Sequence, residues 1–369
     1  MSSLLPLASS LCLLLLLSFL TGKQVVEGHG EDHSHRHHHH HHHHHTHLSN
    51  RHAYTFWPTK LFVFGDSYAD TGNNRKSESS WKIPYGITFP GKPAGRFSDG
   101  RVLTDFIAKS FGLKSPVQYQ WRKLIGTKYL EHGMNFAYGG SGVFDTLAPY
   151  PNMTAQIDLF EQLLKDDTFC AANVNSSLTV VTLSGNDYSA YKAKNGNVVS
   201  LRAFINTVIR QLGANLRRLY ELGTRKVVVA ALQPLGCLPS STVATSFQKC
   251  NEEVNLLVGL HNQLLHQAVA YLNTQTASST FVVADIYSSF LSVLNNGTGH
   301  GQSKFENPLK PCCVGVSKDF NCGSIERNGT KMYTVCEDPK SSFFWDSAHP
   351  TEAGWRAVYS SLSSTLRQL

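Results

Sequence analysis

Apolar residues in this chain follow two rhythms. Short, nearly unbroken runs occur at residues 61–64 (Leu-Phe-Val-Phe), 178–183, 227–232 and 281–284, as expected of strands buried on both faces. Between them, apolar residues return every three or four positions. Positions 201, 204, 205, 208, 209, 212, 216 and 219 form one such stripe. It predicts a helix with Ser200 as its N-cap and Gly223 just past its end. A second long helix is predicted from about Lys249 to Leu272, on a stripe of Val254, Leu257, Leu260, Leu264 and Leu265. Further helices are expected at residues 102–108, around 157–164 and at 351–366. Apolar strands separated by amphipathic helices predict an α/β fold built on a parallel, doubly wound sheet. No internal repeat and no second linker appear, so residues 54–369 are expected to form a single domain.

The N-terminal pattern differs. Residues 11–20 are an apolar run followed by the small residues Thr21 and Gly22, which reads as a signal peptide within residues 1–28. The run is short for a membrane span, so a secreted protein without a stable membrane anchor is expected. Thirteen histidines follow between His29 and His47, nine of them consecutive from His37 to His45. With nothing apolar to bury, residues 29–53 read as a disordered, His-rich linker. It could bind metal incidentally, but without fixed geometry it is not a metal centre.

Composition narrows the picture further. The chain has 369 residues, 41% hydrophobic and 16% charged, with a net charge of +7. Its basic residues are scattered and form no stripe, which argues against nucleic-acid binding. Without the leader's Cys12, seven cysteines remain, at 170, 237, 250, 312, 313, 322 and 336. In an exported chain these predict disulfides, with one cysteine left over. Cys237 and Cys250 flank a short segment and read as a local bridge. The cluster at 312–336 lacks the paired spacing of zinc ligands. Asn152, Asn175, Asn296 and Asn328 are N-glycosylation sequons.

The chemistry begins where the first apolar run breaks, at Gly65-Asp66-Ser67. Open α/β sheets place their reactive groups at the C-terminal edges of strands, so Ser67 is a candidate nucleophile. A serine hydroxyl needs a base to take its proton and a third group to orient that base. His349 lies in Asp346-Ser347-Ala348-His349-Pro350, just before the last predicted helix, and Pro350 biases it away from helical geometry. Asp346, three residues earlier, can accept the Nδ1 proton and leave Nε2 as the base. Donors for a developing oxyanion are offered by the glycine-rich stretch at 135–142 and by Asn186 in Ser184-Gly185-Asn186-Asp187. Asp66 and Asp70 read as loop scaffolding. No Gly-x-Ser-x-Gly elbow of the α/β-hydrolase type is present.

Gly65-Asp66-Ser67 with Asp70-x-Gly72-Asn73-Asn74, the 135–142 block, Ser184-Gly185-Asn186-Asp187 and Asp346-x-x-His349, taken in this order, resemble the plant GDSL esterase/lipase family of SGNH hydrolases. The likeness runs from about Tyr54 to the C-terminus. It implies a single three-layer α/β/α domain with a mainly parallel, flavodoxin-like sheet. It also implies hydrolysis of carboxylic esters without a cofactor. By the same resemblance Ser67, Asp346 and His349 form the triad. The oxyanion donors would be the Ser67 N–H, Gly140 (favoured over Gly139) and Asn186. Tyr68 departs from the Leu in the family's name, and Ser184 stands where Gly is common. The expected partner is a small or polymeric acyl ester acting as substrate, with the protein a monomer. An acyltransferase with the same triad and a non-catalytic binding protein on the same fold are the alternatives.

Overall fold

The computed structural model describes residues 56–276, 279–295 and 305–369. The expected leader (1–28), the His-rich linker (29–53) and the Asn296 sequon lie outside the described residues. In chain order the regular elements are β1 (Lys60–Gly65), α1 (Leu103–Ser110), β2 (Val117–Gln118), β3 (Gly133–Asn135), α2 (Met153–Lys165), α3 (Ala171–Asn175) and β4 (Ser177–Thr182). After them come α4 (Asn186–Ala193), α5 (Val198–Glu221), β5 (Lys226–Ala230), α6 (Pro239–Thr242), α7 (Glu252–Thr274), β6 (Phe281–Ala284) and α8 (Ile286–Asn295). A small hairpin, β7 (Cys313–Gly315) with β8 (Tyr333–Val335), precedes the closing helix α9 (Glu352–Arg367).

The main sheet has the order β2-β3-β1-β4-β5-β6, with every neighbouring pair parallel. Set the two-residue edge strand β2 aside and the order is flavodoxin-like, with its switch point between β1 and β4. Strand side chains alternate between faces, and two cores result. Leu61, Val63, Leu178, Val180 and Val228 pack with residues of α1, α8 and α9. Phe62, Phe64, Val181, Val227 and Val229 pack on the other face with α2, α5 and α7. The fold is therefore a single α/β/α sandwich. Because both faces are covered, the central strands carry apolar residues on both faces, which is why they stand out as runs.

Two predicted helix starts shift. The first long helix is capped by Asn197, whose side chain accepts from the Ser200 amide at 2.9 Å, so Ser200 lies inside it. Val198 and Val199 in its first turn are exposed and contribute nothing to an apolar stripe. The second starts at Glu252 behind the N-cap Asn251, because residues 237–250 are held in a tight loop by the Cys237–Cys250 disulfide. Gly223, with φ +108°, stands past the end of α5 as expected. Two further disulfides, Cys312–Cys336 and Cys313–Cys322, brace the segment around β7 and β8. Cys170 belongs to none of the three. Among the described residues no helix is long and apolar enough to cross a membrane.

Candidate active site

The switch point is where the chemistry-bearing side chains meet. Gly65 ends β1 with φ +139°, and a Cβ there would lie 1.9 Å from the Thr182 carbonyl oxygen. Only glycine fits. The Gln156 side chain of α2 grips this residue twice, accepting from its N–H and donating to its C=O, both at 2.8 Å. The backbone then turns, and Ser67 sits over the strand end with 6% of its surface exposed.

The His349 Nε2 lies 2.8 Å from the Ser67 Oγ, and its Nδ1 lies 2.8 and 2.9 Å from the two Asp346 oxygens. A carboxylate only accepts, so in the neutral ring the proton is assigned to Nδ1, which leaves the Nε2 lone pair facing the serine. Asp346 also accepts from the amides of Ala348 and His349, each at 2.9 Å, and from the Tyr85 hydroxyl at 2.7 Å. Burial alone would push this carboxyl up. The charge of His349 and these donors outweigh it and hold the group below the usual aspartate value. The loop is fixed from beneath: Phe343, Phe344 and Trp345 are fully buried, and Thr351 caps α9 by accepting from the Gly354 amide at 2.9 Å. Tyr85 carried no signal in the sequence, because it reaches Asp346 across 261 positions.

Asp66 and Asp70 bind the candidate site together without a hydrogen bond to Ser67 or His349. Asp70 accepts from the amides of Gly72, Asn73 and Gly139. Asn73 donates to the carbonyls of Asn135 and Ala137, and Asn135 donates back to the Ala69 carbonyl. Each of these buried polar groups would cost about 1–3 kcal/mol if left unpaired, so the first and second glycine-rich blocks are cross-braced. Asp66 accepts from the Tyr68 amide through one oxygen and from the Ser184 amide, the Ser184 hydroxyl and Asn186 Nδ2 through the other. Burial still pushes both carboxyls up to about 6. Asp187 accepts from the amides of Val143 and Phe144, both at 2.9 Å, and so pins the end of the glycine-rich loop to α4.

The expected oxyanion donors differ in what already engages them. Among the described residues nothing accepts from the N–H of Ser67 or Gly140, whereas the Gly139 N–H is taken by Asp70. Gly140 has φ +86°, a left-handed conformation that favours glycine. Asn186 Nδ2 already donates to Asp66 at 3.0 Å and to the Ser141 carbonyl at 2.9 Å.

Tyr68 has a specific place. Its hydroxyl donates to the Ala348 carbonyl at 2.8 Å, and its ring packs edge-on against Trp355 and His349. It ties the serine loop to the histidine loop, a contact that a leucine could not make. Tyr68→Phe is expected to lower stability by about 1–2 kcal/mol, the cost of leaving that carbonyl unpaired. The check is a lower urea midpoint at unchanged m value; an unchanged midpoint would show that the bond carries no stability.

Of the sequons, Asn175 and Asn328 are exposed. Asn152 is half-buried and caps α2, with its amide on Asp145.

Known proteins were compared with this chain by sequence and by structure. A family model described as GDSL-like Lipase/Acylhydrolase matches residues 61–362. The chain is 58% identical over 320 residues to the GDSL esterase/lipase At5g03610 of Arabidopsis thaliana, covering 86% of this chain and 89% of that one. It is 53% identical over 316 residues to At3g09930 of the same plant, covering 85% and 89%. Among solved structures, a variant of the acetyl xylan esterase Axe2 of Geobacillus stearothermophilus aligns over 86% of this chain and 98% of its own, at 12% identity and a TM-score of 0.38. The match to the family model and the identity to the plant proteins show that this chain belongs to the GDSL esterase/lipase family and is a carboxylic ester hydrolase.

Proposed function

We propose that the protein hydrolyses carboxylic esters through an acyl-Ser67 intermediate. The observation that carries this reading is the continuous line from Ser67 Oγ to His349 Nε2 and from His349 Nδ1 to Asp346. As Ser67 Oγ attacks the carbonyl carbon, its proton passes to Nε2, and the nearby Asp346 carboxylate stabilises the resulting imidazolium. The negative oxygen is received by the N–H groups of Ser67 and Gly140. Asn186 joins them by redirecting the N–H that rests on the Ser141 carbonyl. Collapse of the tetrahedral intermediate expels the alcohol, which takes the proton from Nε2. Water then attacks the acyl carbon while Nε2 takes its proton; collapse breaks the bond to Ser67 Oγ, which recovers the proton from Nε2 as the acid leaves.

In the cell the same reading has the leader within residues 1–28 directing export. Support comes from three disulfides, which persist in oxidising compartments, and from the exposed sequons at Asn175 and Asn328. Glycans are proposed at those two positions first, and at Asn152 and Asn296 as further candidates.

A fluorophosphonate probe tests the nucleophile directly. It is expected to add one phosphonyl group to the intact protein, located on the Ser67 peptide by mass spectrometry. Labelling at another residue, or none in a preparation that hydrolyses esters, overturns the assignment.

A further inference from the structure

A groove of about 1370 Å³ opens beside His349. One bank is the loop closed by Cys237–Cys250, which presents Val243 and Phe247; the other is the segment braced by Cys312–Cys336 and Cys313–Cys322, which presents Phe320 and Ile325. Val243 and Ile325 are more than half exposed, so apolar surface faces the open space from both sides. The first bank is also tied to the catalytic loop, since the Ser240 amide donates to the Ser347 carbonyl at 2.9 Å. Disulfides on both sides make this a braced feature.

The charges in the groove are of one sign at its rim. Its charged lining residues are Lys82, Lys318 and Asp346, and Asp346 is engaged by His349 and Tyr85. Among the described residues neither lysine has an ion-pair partner. Asp319, next to Lys318 in the chain, does not line the groove.

Which part of an ester would lie here follows from the chemistry. The general acid must reach the leaving oxygen, so the alcohol portion sits on the histidine side, while the carbonyl oxygen points to the oxyanion donors. The groove is lined by His349 and not by Ser67, Gly140 or Asn186. Resting on the hydrolase reading above, we propose that this groove selects esters whose leaving alcohol has an apolar body and carries an anionic group, received by Lys82 and Lys318.

The test uses butyrate esters of a series of ω-hydroxy acids of increasing chain length, each paired with its neutral ω-hydroxy amide, and reads butyrate release. At low ionic strength the enzyme is expected to favour the best carboxylate ester over its amide partner by about fivefold to thirtyfold in kcat/KM, from two partly solvated charge contacts. The preference should shrink in high salt. In the Lys82→Gln/Lys318→Gln double variant it should vanish, while the amide esters and p-nitrophenyl butyrate are turned over as before. Equal kcat/KM for both members at every chain length overturns the proposal, as does a preference that survives in the double variant. Failure of the unaltered enzyme to hydrolyse p-nitrophenyl butyrate counts against the hydrolase reading instead. In that event, calorimetric binding of the free hydroxy acids against the hydroxy amides decides the groove: tighter binding of the acids, lost in the double variant, supports it, and equal binding overturns it.

Discussion

Ser67→Ala is expected to lower kcat for a short p-nitrophenyl ester by about 10⁴- to 10⁶-fold, a loss of the size seen when a nucleophile working as one unit with its base is removed. The residual rate would come from the oxyanion donors and substrate binding, which the substitution leaves in place. Stability should move little. The side chain is small, and among the described residues its Oγ makes one hydrogen bond, to His349, worth about 1 kcal/mol net. The backbone geometry that presents position 67 is held by Gly65, Gln156 and Asp66 rather than by the serine hydroxyl. Initial rates together with urea unfolding separate the two effects. A variant that keeps a tenth or more of the activity would show that the acyl group is carried elsewhere or that water attacks directly.

Asp346→Asn is expected to cost about 10³- to 10⁴-fold in kcat with the fold retained. An asparagine amide can point an N–H at His349 Nδ1. That would favour the tautomer with its proton on Nε2, facing a serine hydroxyl that then has no base. The amides of Ala348 and His349 share one carboxylate oxygen and can still donate to the remaining side-chain oxygen, while the Tyr85 hydroxyl, on the other, can accept from the new amide group, so the loop need not collapse. The rate of fluorophosphonate labelling should fall in parallel with kcat, because both depend on proton removal from Ser67. Undiminished labelling would place Asp346 outside the activation step. The substitution also has a pH signature. The Asp346 carboxyl is held below its ordinary value in the folded state, so the unfolded chain binds the proton first as the pH falls. Its contribution to stability is therefore complete above the unfolded value of about 3.9 and is lost as the pH drops through the lower folded value. The asparagine variant should lack that part of the acid-side decline, read as unfolding midpoints below about pH 4.

Much of the candidate site was legible because its parts are local. Gly-Asp-Ser at a strand end and Asp-x-x-His before a helix each occupy a few consecutive residues, and backbone constraints such as Pro350 act on immediate neighbours. The structure brings Ser67 and His349 together across 282 positions, as expected from strands and helices stacked in order. What could not be read was how the surrounding polar groups pair. Asp66 was legible only as a scaffold; that it engages Ser184 and Asn186 at once depends on β1 lying beside β4. The engagement of the Asn186 amide by Asp66 and Ser141 was equally hidden, as was the Tyr85 hydroxyl under Asp346. Strands β2 and β3 span two and three residues, too few for a periodic signal.

The sequence by itself determined the two-sided apolar strands, the amphipathic helices and hence the parallel sandwich. It also determined the order of the residues capable of the chemistry. Periodicity and turn chemistry are settled by near neighbours along the chain, so these features need no knowledge of long-range contacts. The tertiary structure alone decided that Tyr68 links the serine and histidine loops, and that two disulfide-closed segments form opposite banks of a groove beside His349. Among the described residues it also left Gly140 rather than Gly139 with an uncommitted amide. Such outcomes depend on which strand edges and loops come to lie side by side, and buried donors take whichever acceptor the packing brings within about 3 Å.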